Sequence, residues 1–193
     1  MRQPRMRYIV GGTMMSRKTV ILLVAALTIA GGIGYGISQL KSGASATQKL
    51  AIDPENYTYT INAKTVTLVN GTATQKETSD PETSSSTWYV GNEAVGDFNG
   101  DRVADVAIIL AQNTGGSGTF YYVVAILSAE SGYTETNAVF FGDRITSQPT
   151  EYIQGEIVVN YLDRRVDEPM VAFPTVKKSL HLKVAGDQLM KAE

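Results

Sequence analysis

The run Asp97-Phe98-Asn99-Gly100-Asp101-Arg102-Val103-Ala104-Asp105 sets oxygen-bearing side chains at positions 1, 3, 5 and 9. Alternate residues of a tight loop turn to the same side, so Asp97, Asn99 and Asp101 are placed to meet one hard cation. The Val103 carbonyl falls at position 7, and Asp105 can close the shell directly or through water. Calcium takes roughly six to eight oxygens in irregular geometry, a demand this set meets better than those of magnesium or zinc. The run is not an EF-hand, because position 12 is Ile108 rather than a bidentate Glu and strands are expected on both sides. The competing reading is a metal-free connection held by Asx turns.

Other chemistries find less support. With no Cys and a single His, His181, the chain has no disulfide, thiolate zinc site, Cys nucleophile or His-rich metal centre. Gly115-Gly116-Ser117-Gly118-Thr119 lacks the Lys of a phosphate loop and the last Gly of a nucleophile elbow, so a hairpin between strands explains it better. His181 lies in Leu180-His181-Leu182-Lys183-Val184, where alternation puts it on the outer face with Lys183. Arg164 and Arg165 are candidate anion-binding residues, since paired guanidinium groups grip carboxylates and phosphates. Solvated ion pairs within the charged turn formed with Asp163, Asp167 and Glu168 are the plainer account. Trp88, Tyr89, Tyr121 and Tyr122 are read as core aromatics rather than a sugar-stacking platform. No catalytic residue is assigned.

The elements that carry these residues read as strands. Tyr57–Ile61 and Thr65–Val69 alternate apolar residues with Thr around a turn at Asn62–Lys64. Thr72–Thr87 has no large apolar residue and is expected as a long exposed loop. Trp88–Val95 and Asp105–Gln112 flank the Asp-rich loop, and Phe120–Leu127 is apolar on both alternating faces, which predicts a central strand covered on both sides. Ala138–Phe141, Glu156–Leu162 and Leu180–Val184 supply further strands, with turns at Gly132, Pro149 and Gly155. The fold class is therefore mainly β: a single antiparallel β-sheet or sandwich-like domain over residues 57–193.

The 193-residue chain is 43% hydrophobic and 19% charged, too apolar for a disordered protein and long enough for a real core. Its net charge of −2 hides two unlike parts. Residues 1–46 hold Arg2, Arg5, Arg7, Arg17, Lys18 and Lys41 and no acid, so the remainder carries −8 and is a poor nucleic-acid partner. The 22 uncharged residues Thr19–Leu40 would span ~33 Å as a helix, enough for a bilayer core. With the basic flank kept inside, residues 1–18 are expected in the cytoplasm, 19–40 as a transmembrane helix, 41–56 as a tether and 57–193 outside the cell membrane. Gly32 and Gly36 form a GxxxG pair within that segment. Cleavage near Ala46, at Ala44-Ser45-Ala46, would instead yield a secreted domain.

The segment Gly96–Asp105, followed by VAIIL, resembles the GDxNGDGxxD loop of FG-GAP and VCBS-type extracellular domains, and is similar to dockerin loops. That resemblance implies calcium on Asp97, Asn99, Asp101, the Val103 carbonyl and Asp105. The family's Gly at position 6 is Arg102 here, which must take a glycine-like conformation and brings positive charge near the ion. Only one copy is present, so the resemblance implies no propeller. Residues 57–184 also look like a family of bacterial envelope proteins without an established activity, through YTYTINAKTVTLVNG, GGSGTFYYVV, GDRI and VVNYLDRRVDEPM. Together these features lead us to expect a membrane-tethered, calcium-stabilised, non-catalytic domain that binds an envelope protein or wall polymer. A hydrolase of wall polymer or peptide and a secreted binding or inhibitor module are the alternatives.

Overall fold

A computed structural model describes residues 8–10, 13–15, 52–76, 82–129 and 132–192. The expected membrane helix at 19–40, the cleavage site near Ala46 and the tether as far as residue 51 lie outside the described residues. The chain forms two units, Met1–Gln48 and Lys49–Glu193. In the first, β1 (Tyr8–Val10) pairs antiparallel with β2 (Thr13–Met15).

The second unit is mainly β, and every strand pairing in it is antiparallel. Its strands are β3 (Thr58–Ile61), β4 (Lys64–Thr67), β5 (Thr72–Lys76), β6 (Ser84–Gly96), β7 (Asp105–Asn113), β8 (Phe120–Ala129) and β9 (Gly132–Glu135). β10 (Val139–Asp143), β11 (Thr146–Ile153), β12 (Glu156–Asp163), β13 (Val176–Ala185) and β14 (Gln188–Lys191) complete it. One sheet runs β10-β8-β7-β6-β5, with β9 also on β8. A second runs β11-β12-β13-β14, and β3-β4 form a separate hairpin.

Strand alternation explains how these pieces stack. Successive side chains of β7 and β8 point to opposite faces. Val106, Ile108, Leu110, Tyr122, Val124 and Ile126 meet Tyr59, Ile61, Val66 and Leu68 of the hairpin layer. From the other face, Ala107, Ile109, Val123, Ala125 and Leu127 meet Ile157, Val159, Leu182 and Leu189 of the four-stranded sheet. β8 is thus the covered central strand that its continuous apolar run predicts, and β7 beside it is covered on both faces as well. The hairpin adds a third layer to the expected sheet or sandwich.

Three expectations change. Thr72–Thr87 is not a long loop: β5 and β6 pair from Thr72↔Trp88 to Lys76↔Ser84. Threonine suits a pleated surface as well as valine does, and Ser85 and Thr87 are buried there without any large apolar residue to announce a strand. Pro149 lies inside β11 instead of at a turn. The register shifts between Ser147 and Thr150, so the missing N–H falls in a bulge of an edge strand. Finally, the domain begins before Tyr57. Asp53 caps a 3₁₀ turn over Pro54–Asn56, Ile52 packs on the core, and Tyr59 Oη donates to the Pro54 carbonyl at 2.7 Å.

The β3–β4 turn places Asn62 and Ala63 at φ +50° and +62°, the pairing of a type I′ hairpin. Asn tolerates that region but Ala does not, the left-handed conformation costing about 1–2 kcal/mol for a residue with a Cβ. Ala63→Gly should therefore stabilise the domain by about 0.5–1 kcal/mol after the extra entropy of glycine is allowed for. An unchanged or lowered urea midpoint would contradict this.

Candidate metal-binding loop

The Asp-rich segment is the connection between β6 and β7, closed at its base by the Gly96↔Asp105 pair. Its side chains fold it by capturing its own amides, as short polar residues do in Asx turns. Asp97 accepts from the Gly100 N–H through Oδ1 at 2.7 Å and from the Arg102 N–H through Oδ2 at 2.9 Å. Asn99 Oδ1 accepts from the Asp101 N–H at 3.0 Å. Asp101 Oδ1 takes the Val103 N–H at 2.7 Å, while its Oδ2 accepts from Asn99 Nδ2 at 3.1 Å. Gly100 and Arg102 sit at φ +83° and +71°. Arg102 thus does adopt the conformation for which this position ordinarily selects glycine.

Asp105 differs from the other carboxylates in being fully buried. Its Oδ2 accepts the Phe98 N–H at 2.7 Å and its Oδ1 the Ser128 N–H at 2.8 Å, tying the start of the loop to the far end of β8. Desolvation pushes its pKa up and Asp101 adds repulsion, while bonds from the Ser128, Phe98 and Asn99 backbone pull it down; burial wins. A second tether comes from β11. Tyr152 Oη donates to the Asp97 carbonyl at 2.7 Å, and its ring packs on Phe98 at a centroid distance of 4.9 Å. Nothing in the local sequence announces Tyr152 or Ser128, because both reach the loop only through tertiary packing.

The donor chemistry of this loop fits a hard cation, all oxygen and no nitrogen or sulfur. Of the residues that would supply donors, Asp97 is partly buried and Asn99, Asp101 and Val103 are exposed. Asp105 lies beneath them with both oxygens engaged by amides. Among the described residues no three His, Cys, Asp or Glu side chains stand close enough together to share a metal ion. Binding one would require Asp97 and Asp101 to swing part of their charge away from the amides they now hold. No family model, curated protein or solved structure matches the chain.

The remaining candidates separate from this loop. Arg164 turns its guanidinium onto backbone carbonyls, with Nε on Ala172 at 2.6 Å and Nη1 on Arg144 at 2.8 Å. Arg165 forms an exposed ion pair with Glu168 at 3.4 Å. His181 is exposed beside Lys183, and both pair with Glu156, at 2.8 and 3.2 Å. Glu156 is the partner that sequence reasoning did not supply; the register Ile157↔Leu182 brings it there. Gly115–Thr119 is a hairpin connection organised by Asn113, whose Nδ2 donates to the Gly116 and Gly118 carbonyls.

The Arg144 guanidinium beside Asp143 holds that carboxyl below its ordinary value, and His181 and then Lys183 do the same for Glu156. A lowered carboxylate pKa contributes stability above the unfolded value and loses it as pH falls through the folded one. Asp143 also accepts the Thr119 N–H at 2.9 Å. Asp143→Asn should thus cost about 1–2 kcal/mol at pH 7, with the deficit shrinking as the pH drops below about 4. A deficit independent of pH in urea melts would contradict the charge-based account.

Proposed function

We propose that the second unit is the exported domain of a membrane-anchored protein. In this reading, residues 19–40 form a single transmembrane helix with residues 1–18 inside the cell. The β domain then acts at the envelope by binding or by holding position, without catalysis. Its β6–β7 loop takes calcium on Asp97, Asn99, Asp101 and the Val103 carbonyl, with Asp105 beneath as the closing acid. The observation that carries this reading is the loop itself. Its oxygen-bearing side chains lie along one short connection between core strands, where a divalent ion that drew them together would clasp the β6–β7 turn and offset their charge in an acidic domain. When bound, the ion would supply charge neutralisation and a rigid turn; the chain's own residues do the rest by fixing the loop to β8 and β11.

Thermal melts of the full chain in excess calcium and in chelator test the metal. Calcium is expected to raise the melting temperature, and Asp101→Ala to remove most of the rise. Arg102→Gly is expected to stabilise the calcium-free protein by about 0.5–1 kcal/mol by relieving the left-handed backbone. It should also enlarge the calcium-dependent shift by removing a cation near the ion. Equal melting temperatures in calcium and chelator for the parent and for Arg102→Gly would end the calcium reading. Protease added outside intact cells tests the topology: the β domain should be digested while residues 1–18 stay protected.

A further inference from the structure

The β12–β13 connection turns its apolar side chains the wrong way for a soluble loop. Val166, Val171 and Phe173 are 105%, 88% and 88% exposed, and Met170 is 43% exposed. The loop is nevertheless ordered by its polar groups. The Arg164 guanidinium fills its interior, bonded to the Ala172 carbonyl on one side and the Arg144 carbonyl on the other. Glu168 caps the Arg165 N–H at 2.9 Å, the Ala172 N–H closes a turn onto Pro169 at 2.9 Å, and the Thr175 N–H returns to the Asp163 carbonyl at 2.9 Å. With the interior taken by a hydrogen-bonded arginine, the four apolar side chains have no place except outward. Single exposed apolar residues need no explanation, but several clustered on one pre-ordered loop mark an interaction site.

We propose that this loop seats in the surface of a lipid bilayer, with Val166, Met170, Val171 and Phe173 entering the interfacial region. Three observations favour a bilayer over a protein groove. Val166, Val171 and Phe173 project almost completely free, so they present knobs that a fluid phase moulds around without a complementary shape. Lys177, at the loop's C-terminal end, is an exposed cation available to lipid headgroups, and Arg165 at the other end is already paired with Glu168. Asp167 is the exposed acid among them, and it has to stay at the water side. Third, the segment 41–51 can extend over only about 35–40 Å, comparable to the diameter of a domain this size, so an anchored domain always has the bilayer within reach. This inference rests on the proposed membrane anchor at residues 19–40.

The chain has no native Cys, so single-cysteine variants carry one label each. The full chain carrying Val171→Cys, labelled with the environment-sensitive fluorophore NBD, would be reconstituted in phosphatidylethanolamine–phosphatidylglycerol vesicles. Asp187→Cys, in the exposed turn between β13 and β14, serves as the reference. Emission from position 171 is expected to rise severalfold and to be quenched by lipids carrying a doxyl group on the acyl chain, while position 187 shows neither effect. Both sites are exposed, so neither label removes core packing. Vesicle flotation after an alkaline carbonate wash reports the anchor separately. A chain that stays with the vesicles but keeps the 171 label in water overturns the loop insertion alone. A chain that washes off overturns the anchor and this inference with it. A rise in emission that doxyl lipids do not quench assigns the loop to a protein surface, a second copy included, and also overturns it.

Discussion

Asp105→Ala is expected to cost the β domain about 3–4 kcal/mol, because it strands two buried amides at once. The Phe98 and Ser128 N–H groups both end on this carboxylate, at 2.7 and 2.8 Å, in a site closed to water. Each unsatisfied buried donor costs about 1–3 kcal/mol, and the cavity left by the side chain adds to that. Asp105→Asn should be milder, near 2 kcal/mol, since one of its two oxygens becomes an N–H₂ facing a donor. The two variants also differ from the parent in pH dependence. Burial raises the Asp105 pKa, so folding favours its protonated form. The stability this group contributes is full below the unfolded value and declines as pH rises through the folded one. The deficit of Asp105→Asn is therefore expected to be largest in acid and to narrow toward neutral pH, opposite in direction to Asp143→Asn. Urea midpoints for the parent and both variants from pH 3 to 7 check this. A deficit below about 1 kcal/mol for Asp105→Ala would mean that the amides find water, and that the carboxylate is not what joins the loop to β8.

This double role of Asp105 shows what the sequence could and could not reveal. Metal-ligand spacing marks Asp97, Asn99, Asp101 and Asp105 as one group, and the same residue order allows the Asx turns of the competing reading, whose chemistry is local. The structure does gather all four in one hydrogen-bonded loop. Spacing could not tell that Asp105 belongs to the core while the other three do not; that follows from where β8 runs. β7 was legible as a strand and β8 as a covered central one, because continuous apolar runs have few other uses beyond residue 41, where no helical period shows. β5 was not, since a Thr- and Gln-rich edge strand and a loop share a composition. The segment from Arg164 to Phe173 was legible only in part for a related reason. Arg165 and Glu168 form the solvated ion pair that its density of charge suggests, whereas Arg164 is an internal staple and the apolar residues are exposed. Which side of an irregular loop faces water is a tertiary fact, and no periodicity encodes it.

The same limit applies to the support from β11, and it yields the second large effect. Gly96→Ala is expected to destabilise the domain by about 2–4 kcal/mol although Gly96 lies in an ordinary strand. A Cβ at Gly96 would overlap Cδ1 of Tyr152 and stand 2.8 Å from its Cε1, well inside van der Waals contact. The ring cannot simply swing aside. Its hydroxyl is fixed on the Asp97 carbonyl at 2.7 Å, and its face is held against Phe98 at 4.9 Å. Moving it would release the entry to the Asp-rich loop, so the strain is carried either by β6 or by the loop. Tyr152→Ala removes the obstacle at its own cost of about 2–3 kcal/mol in lost ring contacts and one hydrogen bond. In the double variant Gly96→Ala/Tyr152→Ala the alanine meets open space, and the total should fall close to that of Tyr152→Ala alone. This gives a coupling of about 2–4 kcal/mol, the whole cost of Gly96→Ala, between residues more than fifty positions apart in sequence. Additive losses would place the clash elsewhere and remove Tyr152 as the support of the loop. If the coupling is found, the calcium-dependent shift in melting temperature should shrink in Tyr152→Ala as well, because the loop would then have to be ordered by the ion without β11 beneath it.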